Sequence, residues 1–283
     1  MVTPFSADGG LDLDAAARLA TYLVDGGCDG LVVSGTTGES PTTTPREQDD
    51  LLRTVLDAVG ERARVVAGVG TNDTAHTVEL ATAAEKAGAH GVLVVTPYYN
   101  KPPQEGLLAH FTSVADAVGL PVMVYDIPAR TGTPIHADTL RRLGAHPRIV
   151  AVKDAKGDLF EGSGVMADTD LAYYSGDDQL NLPWLAVGAT GLVSVVAHVA
   201  AGRYAAMVRA VETEDLAQAR ALHTELLPLV AAVMTRTQGA IAVKAALELI
   251  GILPNRSVRL PLTPASEDLV AALRVDLQQI GLL

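Results

Sequence analysis

The 283-residue sequence predicts an α/β chain: a (β/α)8 TIM barrel carrying a C-terminal three-helix extension. Three observations predict it. Short β-rich runs alternate with amphipathic helical stretches along most of the chain. Most of the runs are apolar throughout rather than at every second residue, which marks strands covered on both faces of a parallel sheet. From about Asp215 the strand pattern stops and only helical patterns remain.

In order, the expected strands are MVTPF, GLVVSG from Gly30, RVVAGV from Arg64, GVLVVTP from Gly91, PVMVYDIP from Pro121, IVAVKD from Ile149, LAYYSGDD from Leu171 and GLVSVVAH from Gly191. Between them fit the helical stretches DAAARLATYLVDG, PREQDDLLRTVLDAVG, TAHTVELATAAEKAG, QEGLLAHFTSVADAVG and HADTLRRLGAH, a weaker one over 158–168, LNLPWLAVGA, and an eighth over 202–212. Glycines close several of them, as helix C-caps do. The extension reads as DLAQARALHTELLPLVAAVM, GAIAVKAALELIG and a last helix over 266–280. It is too apolar to be a solvated appendage, and no low-complexity linker precedes it. The expected division is a catalytic barrel over 1–214 and a helical extension over 215–283.

Composition excludes several functions. With 48% hydrophobic residues the chain can bury a large core. A formal net charge of −12 argues against a nucleic-acid or anionic membrane partner, so an anionic substrate needs a local positive pocket. The single cysteine, Cys28, cannot form an internal disulfide, and it reads as a small core residue rather than a nucleophile. Neither a signal segment nor a bilayer-spanning run is present, so the cytoplasm is expected. The seven histidines show no metal-ligand spacing, and the neighbours Asp177 and Asp178 would point apart on a strand. A metal site is not expected.

In a barrel, active groups lie at the C-terminal ends of strands and in the loops that follow. Lys153 stands out there. Only five of the 21 basic residues are lysines, yet one sits in an apolar strand. Burial disfavours an ammonium, and a neutral amine can attack a carbonyl to form a Schiff base. Equally, a lysine at a strand edge can snorkel to solvent or pair with Asp154. Lys156, in the following loop, reads as solvated. SGTTGES (34–40) offers hydroxyls and exposed N–H groups suited to a carboxylate or phosphate, or else a glycine turn with a cap. No lysine follows it in the P-loop pattern. GVGTND (68–73) is open to the same two readings. YDIPARTG (125–132) sets a phenol at a strand end and a guanidinium past a stiffening proline. Tyr125, Tyr98 and Tyr99 can equally be core aromatics.

The combination is more specific than its parts. SGTTGES, TPYYNKPPQEG, YDIPARTG, VKDAKGD and YYSGDD, in this order and each at a strand end, resemble the dihydrodipicolinate synthases of the pyruvate-dependent class I aldolase and lyase superfamily. The likeness covers essentially the whole chain, helical tail included. It implies that Lys153 forms an imine with pyruvate and that the derived enamine adds to L-aspartate 4-semialdehyde, in diaminopimelate and lysine biosynthesis. It further implies that Tyr125 relays protons and that Thr36 links it to a Tyr99 contributed by a neighbouring subunit. Thr37 and nearby N–H groups would receive pyruvate's carboxylate, Arg130 would hold that of the semialdehyde, and Gly176 and Val193 would line the pyruvate site. No cofactor is implied, and the assembly would be a homotetramer, a dimer of dimers.

Three departures accompany the resemblance. The chain begins at MVTPF where relatives carry more apolar residues, so a curtailed first strand and a truncated start are expected. At Asp126, where many relatives have asparagine, the carboxylate should turn away from the site, because strand neighbours alternate faces. Pro45, Gln48 and His76 stand where lysine-inhibited relatives line an effector pocket, although Ser40, Asn72 and Tyr98 match, so feedback by lysine should be weak or absent. N-acetylneuraminate lyases and 2-keto-3-deoxy sugar acid aldolases share the lysine, the tyrosine and a GxTGE loop. Arg130 and GTTGE favour the synthase over them. A silent keto-acid-binding paralogue is disfavoured because each catalytic position is filled.

Overall fold

The computed structural model describes all residues 1–283. Its strands form one sheet in sequence order: β1 (Gly30–Val33), β2 (Arg64–Gly68), β3 (Gly91–Val95), β4 (Val122–Asp126), β5 (Ile149–Asp154), β6 (Ala172–Ser175) and β7 (Gly191–Leu192). Pairing from β2 to β7 is parallel throughout. Helix α1 (Leu13–Asp25) precedes β1; α2 (Pro45–Val59), α3 (Thr74–Ala87), α4 (Gln104–Ala117), α5 (Pro128–Thr131), α6 (Ala137–Gly144), α7 (Leu159–Asp168) and α8 (Asn181–Ala186) fill the connections, and α9 (Ala197–Glu212) follows β7. Three more follow: α10 (Leu216–Met234), α11 (Gly239–Leu249) and α12 (Glu267–Gln279). The α/β class and the βα order are those the sequence predicts. The four-residue α5 is an addition, made possible by Pro128 at its first turn.

The chain forms two compact units, Val66–Val193 on one hand and Met1–Val65 with Ser194–Leu283 on the other. In the first, β3 and β4 are buried almost end to end, and Leu107, Phe111, Val114, Leu140, Leu143, Val165 and Trp184 are almost wholly removed from water. Each such side chain contributes about 1.5–3 kcal/mol. Two glycines permit close approaches there. A Cβ on Gly162 would stand 2.3 Å from the Trp184 ring, and one on Gly70 would stand 2.3 Å from the Val95 nitrogen. In GVGTND the carboxylate of Asp73 accepts from the N–H groups of Ala75 and His76, so this motif serves to cap α3.

In the second unit, Thr44 and Glu47 close a capping box on α2. α11 is buried along Ala240–Leu247. Ala232, Ile241, Ala245, Ala265, Val270 and Leu273 form a core among α10, α11 and the segment after it, so the tail is packed rather than solvated. The expected first strand is not a regular one. Residues 1–5 show a single isolated bridge, Phe5 to Leu11. Pro4 has no N–H to give a ladder. The other donors go elsewhere: the Met1 nitrogen to the Val32 carbonyl (2.6 Å), Val2 N–H to His198 Nε2 (2.9 Å) and the Thr3 hydroxyl to the Gly38 carbonyl (2.6 Å). Cys28 is half-buried, and burial raises its thiol pKa, which suits the reading of an inert residue. No single helix is long and apolar enough to cross a membrane.

Candidate active site

Tyr125 on β4 and Lys153 on β5 are register partners, so their side chains leave the sheet on the same face. The Lys153 Nζ lies 4.2 Å from the centroid of the Tyr125 ring. Tyr125 is buried and Lys153 half-buried, so the amine meets an aromatic wall on one side and remains reachable. It makes no ion pair with Asp154, which faces the other side of the strand. Lys153 is in turn level with Tyr174 on β6. Just past that strand, a Cβ on Gly176 would stand 3.0 Å from Lys153 Cε and Cγ and from the Asp154 carbonyl, so a larger residue here would press on the lysine stem. Val193 N–H donates to the Ser175 carbonyl (2.8 Å), which sets Val193 beside the end of β6. Tyr174 is the residue in this row that the motifs do not single out. Its signal is the two-residue spacing from Gly176.

The opposite face of the same strand ends is ionic. Asp126 follows Tyr125 and Asp154 follows Lys153; the two aspartates are register partners and fully buried. Asp126 therefore turns away from Tyr125, as alternation predicts. Its Oδ2 accepts from Ile135 N–H (3.2 Å), and Asp154 Oδ1 accepts from the N–H groups of Lys156 (3.0 Å) and Gly157 (2.8 Å). Lys156 is not solvated, contrary to the sequence reading. Its side chain is 13% exposed, and its Nζ donates to Glu161 (2.9 Å) and the Ile135 carbonyl (3.1 Å) and lies 3.8 Å from Asp126. The carboxylates draw this ammonium inward. Burial pushes Asp126 up to about 7, with Lys156 opposing and Asp154 reinforcing the shift. Burial likewise raises Asp154 and Tyr173.

In the other unit, the 34–40 loop after β1 is a tight structure in its own right. Ser34 and Glu39 both take positive φ (54° and 55°), Gly38 N–H donates to the Gly35 carbonyl, and Glu39 N–H to the Thr36 carbonyl. Thr36 and Thr37 sit half-buried at its crown. Glu39 explains the conformation. It is buried, pairs with the fully buried Lys244 of α11, and accepts from Arg259 N–H (3.0 Å). Lys244 Nζ also donates to the Ser257 carbonyl (2.8 Å), and both Lys244 and Arg259 stack on Phe5. Burial pushes Lys244 down to about 8 while Glu39 pulls the other way. No sequence signal joins Glu39 to Lys244, which lie 205 positions apart.

The remaining candidates stand apart from this row. Tyr99 is 89% exposed and held at φ 76°, which turns a large aromatic into solvent. Arg130 lies exposed on α5 without an ion pair, next to Gly132 at φ 76°. Asp177 and Asp178 lie beyond β6 rather than on it; Asp177 accepts from Gln179 N–H and Asp178 from the Asn181 amide. No group of His, Cys, Asp and Glu has the arrangement to hold a metal ion. What the 66–193 unit offers is a primary amine against a phenol, with a guanidinium on the segment that follows β4.

The family model described as "Dihydrodipicolinate synthetase family" matches residues 1–280. The 4-hydroxy-tetrahydrodipicolinate synthase of Kineococcus radiotolerans is 68% identical over 282 residues, covering 100% of this chain and 92% of the relative. Among solved structures, a dihydrodipicolinate synthase of Bacillus anthracis superposes with TM-score 0.95 at 41% identity, over 98% of this chain and 95% of that one. The chloride-inhibited dihydrodipicolinate synthase of Acinetobacter baumannii complexed with pyruvate superposes with TM-score 0.96 at 35% identity, over 100% and 97% of the two chains.

Proposed function

The chain belongs to the dihydrodipicolinate synthetase family, and from that premise we propose how its residues run the reaction. The enzyme is a lyase: a 4-hydroxy-tetrahydrodipicolinate synthase that condenses pyruvate with L-aspartate 4-semialdehyde. In our reading the Lys153 amine attacks the pyruvate keto carbon, and loss of water gives the imine. A C3 proton leaves and the protonated imine takes up the electron pair as an enamine. The enamine carbon bonds to the aldehyde carbon, whose oxygen takes a proton. The amino group of the semialdehyde then displaces Lys153 at the former keto carbon, and the ring closes as the lysine leaves. Tyr125 donates and accepts the protons of these steps, with Thr36 and the Tyr99 of a second copy as its relay. Thr37 and the surrounding N–H groups bind pyruvate's carboxylate, and Arg130 binds that of the semialdehyde. Gly176 and Val193 line the pyruvate site.

The observation that supports this reading most is the Tyr125–Lys153 register pair, with the amine 4.2 Å over the ring. The test is to incubate the protein with pyruvate, reduce with borohydride and map the adduct. A pyruvate-derived mass on Lys153 is expected; one on Lys156 alone, or none, would refute the assignment. Activity with N-acetylmannosamine or glyceraldehyde in place of the semialdehyde would favour the sister aldolases.

The same proposal has the enzyme act as a homotetramer in the cytoplasm. Exposed Tyr99 and Phe160, 89% and 93% open to solvent, support burial against further copies. A fully active monomer in sedimentation would refute it. The proposal also divides the chain into a barrel to residue 214 and an extension from 215, since α10, α11 and α12 follow with no further strand.

A further inference from the structure

We propose that Lys156 is a positioning residue for the acceptor aldehyde: its buried ammonium fastens the 127–135 loop, which carries Arg130, to the strand pair carrying Tyr125 and Lys153. The inference rests on the assignment of Arg130 to the semialdehyde's carboxylate.

That loop leaves β4 at Asp126 and reaches α6 through Ile135, which is fully buried. Both polar groups of Ile135 are captured by the ionic cluster. Its N–H goes to Asp126 and its carbonyl receives Lys156 Nζ, at 3.2 and 3.1 Å. Two residues on, Ala137 N–H donates to Glu161 Oε1 (2.6 Å), whose other oxygen is held by the same Nζ (2.9 Å). At the other end Ala155 N–H donates to the Asp126 carbonyl (2.8 Å), tying the β5 loop to the strand that launches the Arg130 segment. Lys156 is thus the one cation among Asp126, Asp154 and Glu161, and together with the Asp126 side chain it holds the end of the loop to the catalytic strands. Without it, Asp126 and Glu161 keep their backbone donors, but the Ile135 carbonyl and the Glu161 carboxylate lose the ammonium that joins them, and the end of the loop is freed on that side.

The consequence is unequal for the two substrates. Tyr125 and Lys153 are fixed by ladder pairing on both sides of β5. Arg130 has no ion pair of its own and takes its place from the ends of its loop. A displacement of about 1 Å in a substrate-holding group can cost on the order of a hundredfold.

The experiment is steady-state kinetics of Lys156→Met and Lys156→Arg, with borohydride trapping of pyruvate on each variant after circular dichroism has shown the fold. The Met variant should raise KM for aspartate semialdehyde at least about tenfold, with KM for pyruvate and the trapped fraction within about twofold. Arg, which restores the charge, should recover most of that KM. If the Met variant does not fold, Glu161→Gln, which weakens one contact of the ammonium, should show the same split at smaller amplitude. An unchanged semialdehyde KM, or pyruvate and semialdehyde parameters that worsen in step, would overturn the inference. Failure of the unmodified protein to trap pyruvate at Lys153 would overturn the reading of the reaction, and this inference with it.

Discussion

His198 makes the second unit sensitive to acid. The ring is 4% exposed and fully hydrogen-bonded as the neutral tautomer: Nδ1–H donates to the Val195 carbonyl (2.7 Å) and Nε2 accepts Val2 N–H (2.9 Å). A second proton would have to sit on Nε2, facing the Val2 N–H it now receives. Burial lowers the pKa accordingly, from the ordinary 6.5 to about 3. Between those values the unfolded chain binds one proton more than the folded one, so stability rises with pH across the window and falls as pH drops below 6.5. At about 1.36 kcal/mol per unit, the loss from this residue is roughly 2 kcal/mol by pH 5 and about 4–5 kcal/mol near pH 3. Urea unfolding of the protein and of His198→Gln at pH 7, 6 and 5 measures it. The substituted amide can accept from Val2 N–H but does not titrate, and other groups, such as the buried His110 lowered to about 4, cancel in the difference. The native protein should lose roughly 2 kcal/mol relative to the variant between pH 7 and 5. A difference that stays constant over that range would refute the reasoning.

Three further outcomes are expected. Tyr125→Phe keeps the ring under the Lys153 amine but removes the proton relay, so kcat should fall by about 10²–10⁴ while circular dichroism is unchanged; a kcat within about threefold would remove Tyr125 from the mechanism. Gly176→Ala places a Cβ 3.0 Å from the Lys153 stem and the Asp154 carbonyl, and should slow pyruvate trapping more than it lowers the melting temperature. Trapping at the native rate would mean that the lysine can lie elsewhere. Lysine should not inhibit at sub-millimolar concentration, because the Gln48 amide is spent on the Ser40 carbonyl (3.2 Å) and the Thr43 hydroxyl (3.1 Å) rather than presented to an effector; half-maximal inhibition in that range, read in the coupled assay, would show otherwise.

What is legible in the sequence follows from period and position. Runs such as GVLVV and VMVYD announce buried parallel strands, and the period of two foretells that Asp126 turns away from Tyr125. Lys153 is conspicuous because a lysine in an apolar run is rare. Lys156 is misread for a physical reason: a loop lysine two residues past a strand is solvated by default, and only the fold brings Glu161 and the Ile135 carbonyl around it. Glu39 and Lys244 lie beyond sequence reading for the same reason, since nothing local in GTTGES requires a counter-ion from α11. The first strand is overread. Its apolar character is real, as the buried Val2 and Phe5 attest, but Pro4 and the capture of neighbouring donors by His198, Val32 and Gly38 leave a segment that packs without a ladder.

The Glu39–Lys244 pair also imposes an order on synthesis. The two residues are separated by 205 positions, so at translation rates of about 5–20 residues per second Glu39 leaves the ribosome some 10–40 s before its counter-ion is made. Through that interval the 34–40 segment has the glycines for its turns but no ammonium for its buried carboxylate. A nascent chain that already contains every βα repeat therefore still lacks the counter-ion of Glu39, which arrives only with the closing part of the polypeptide.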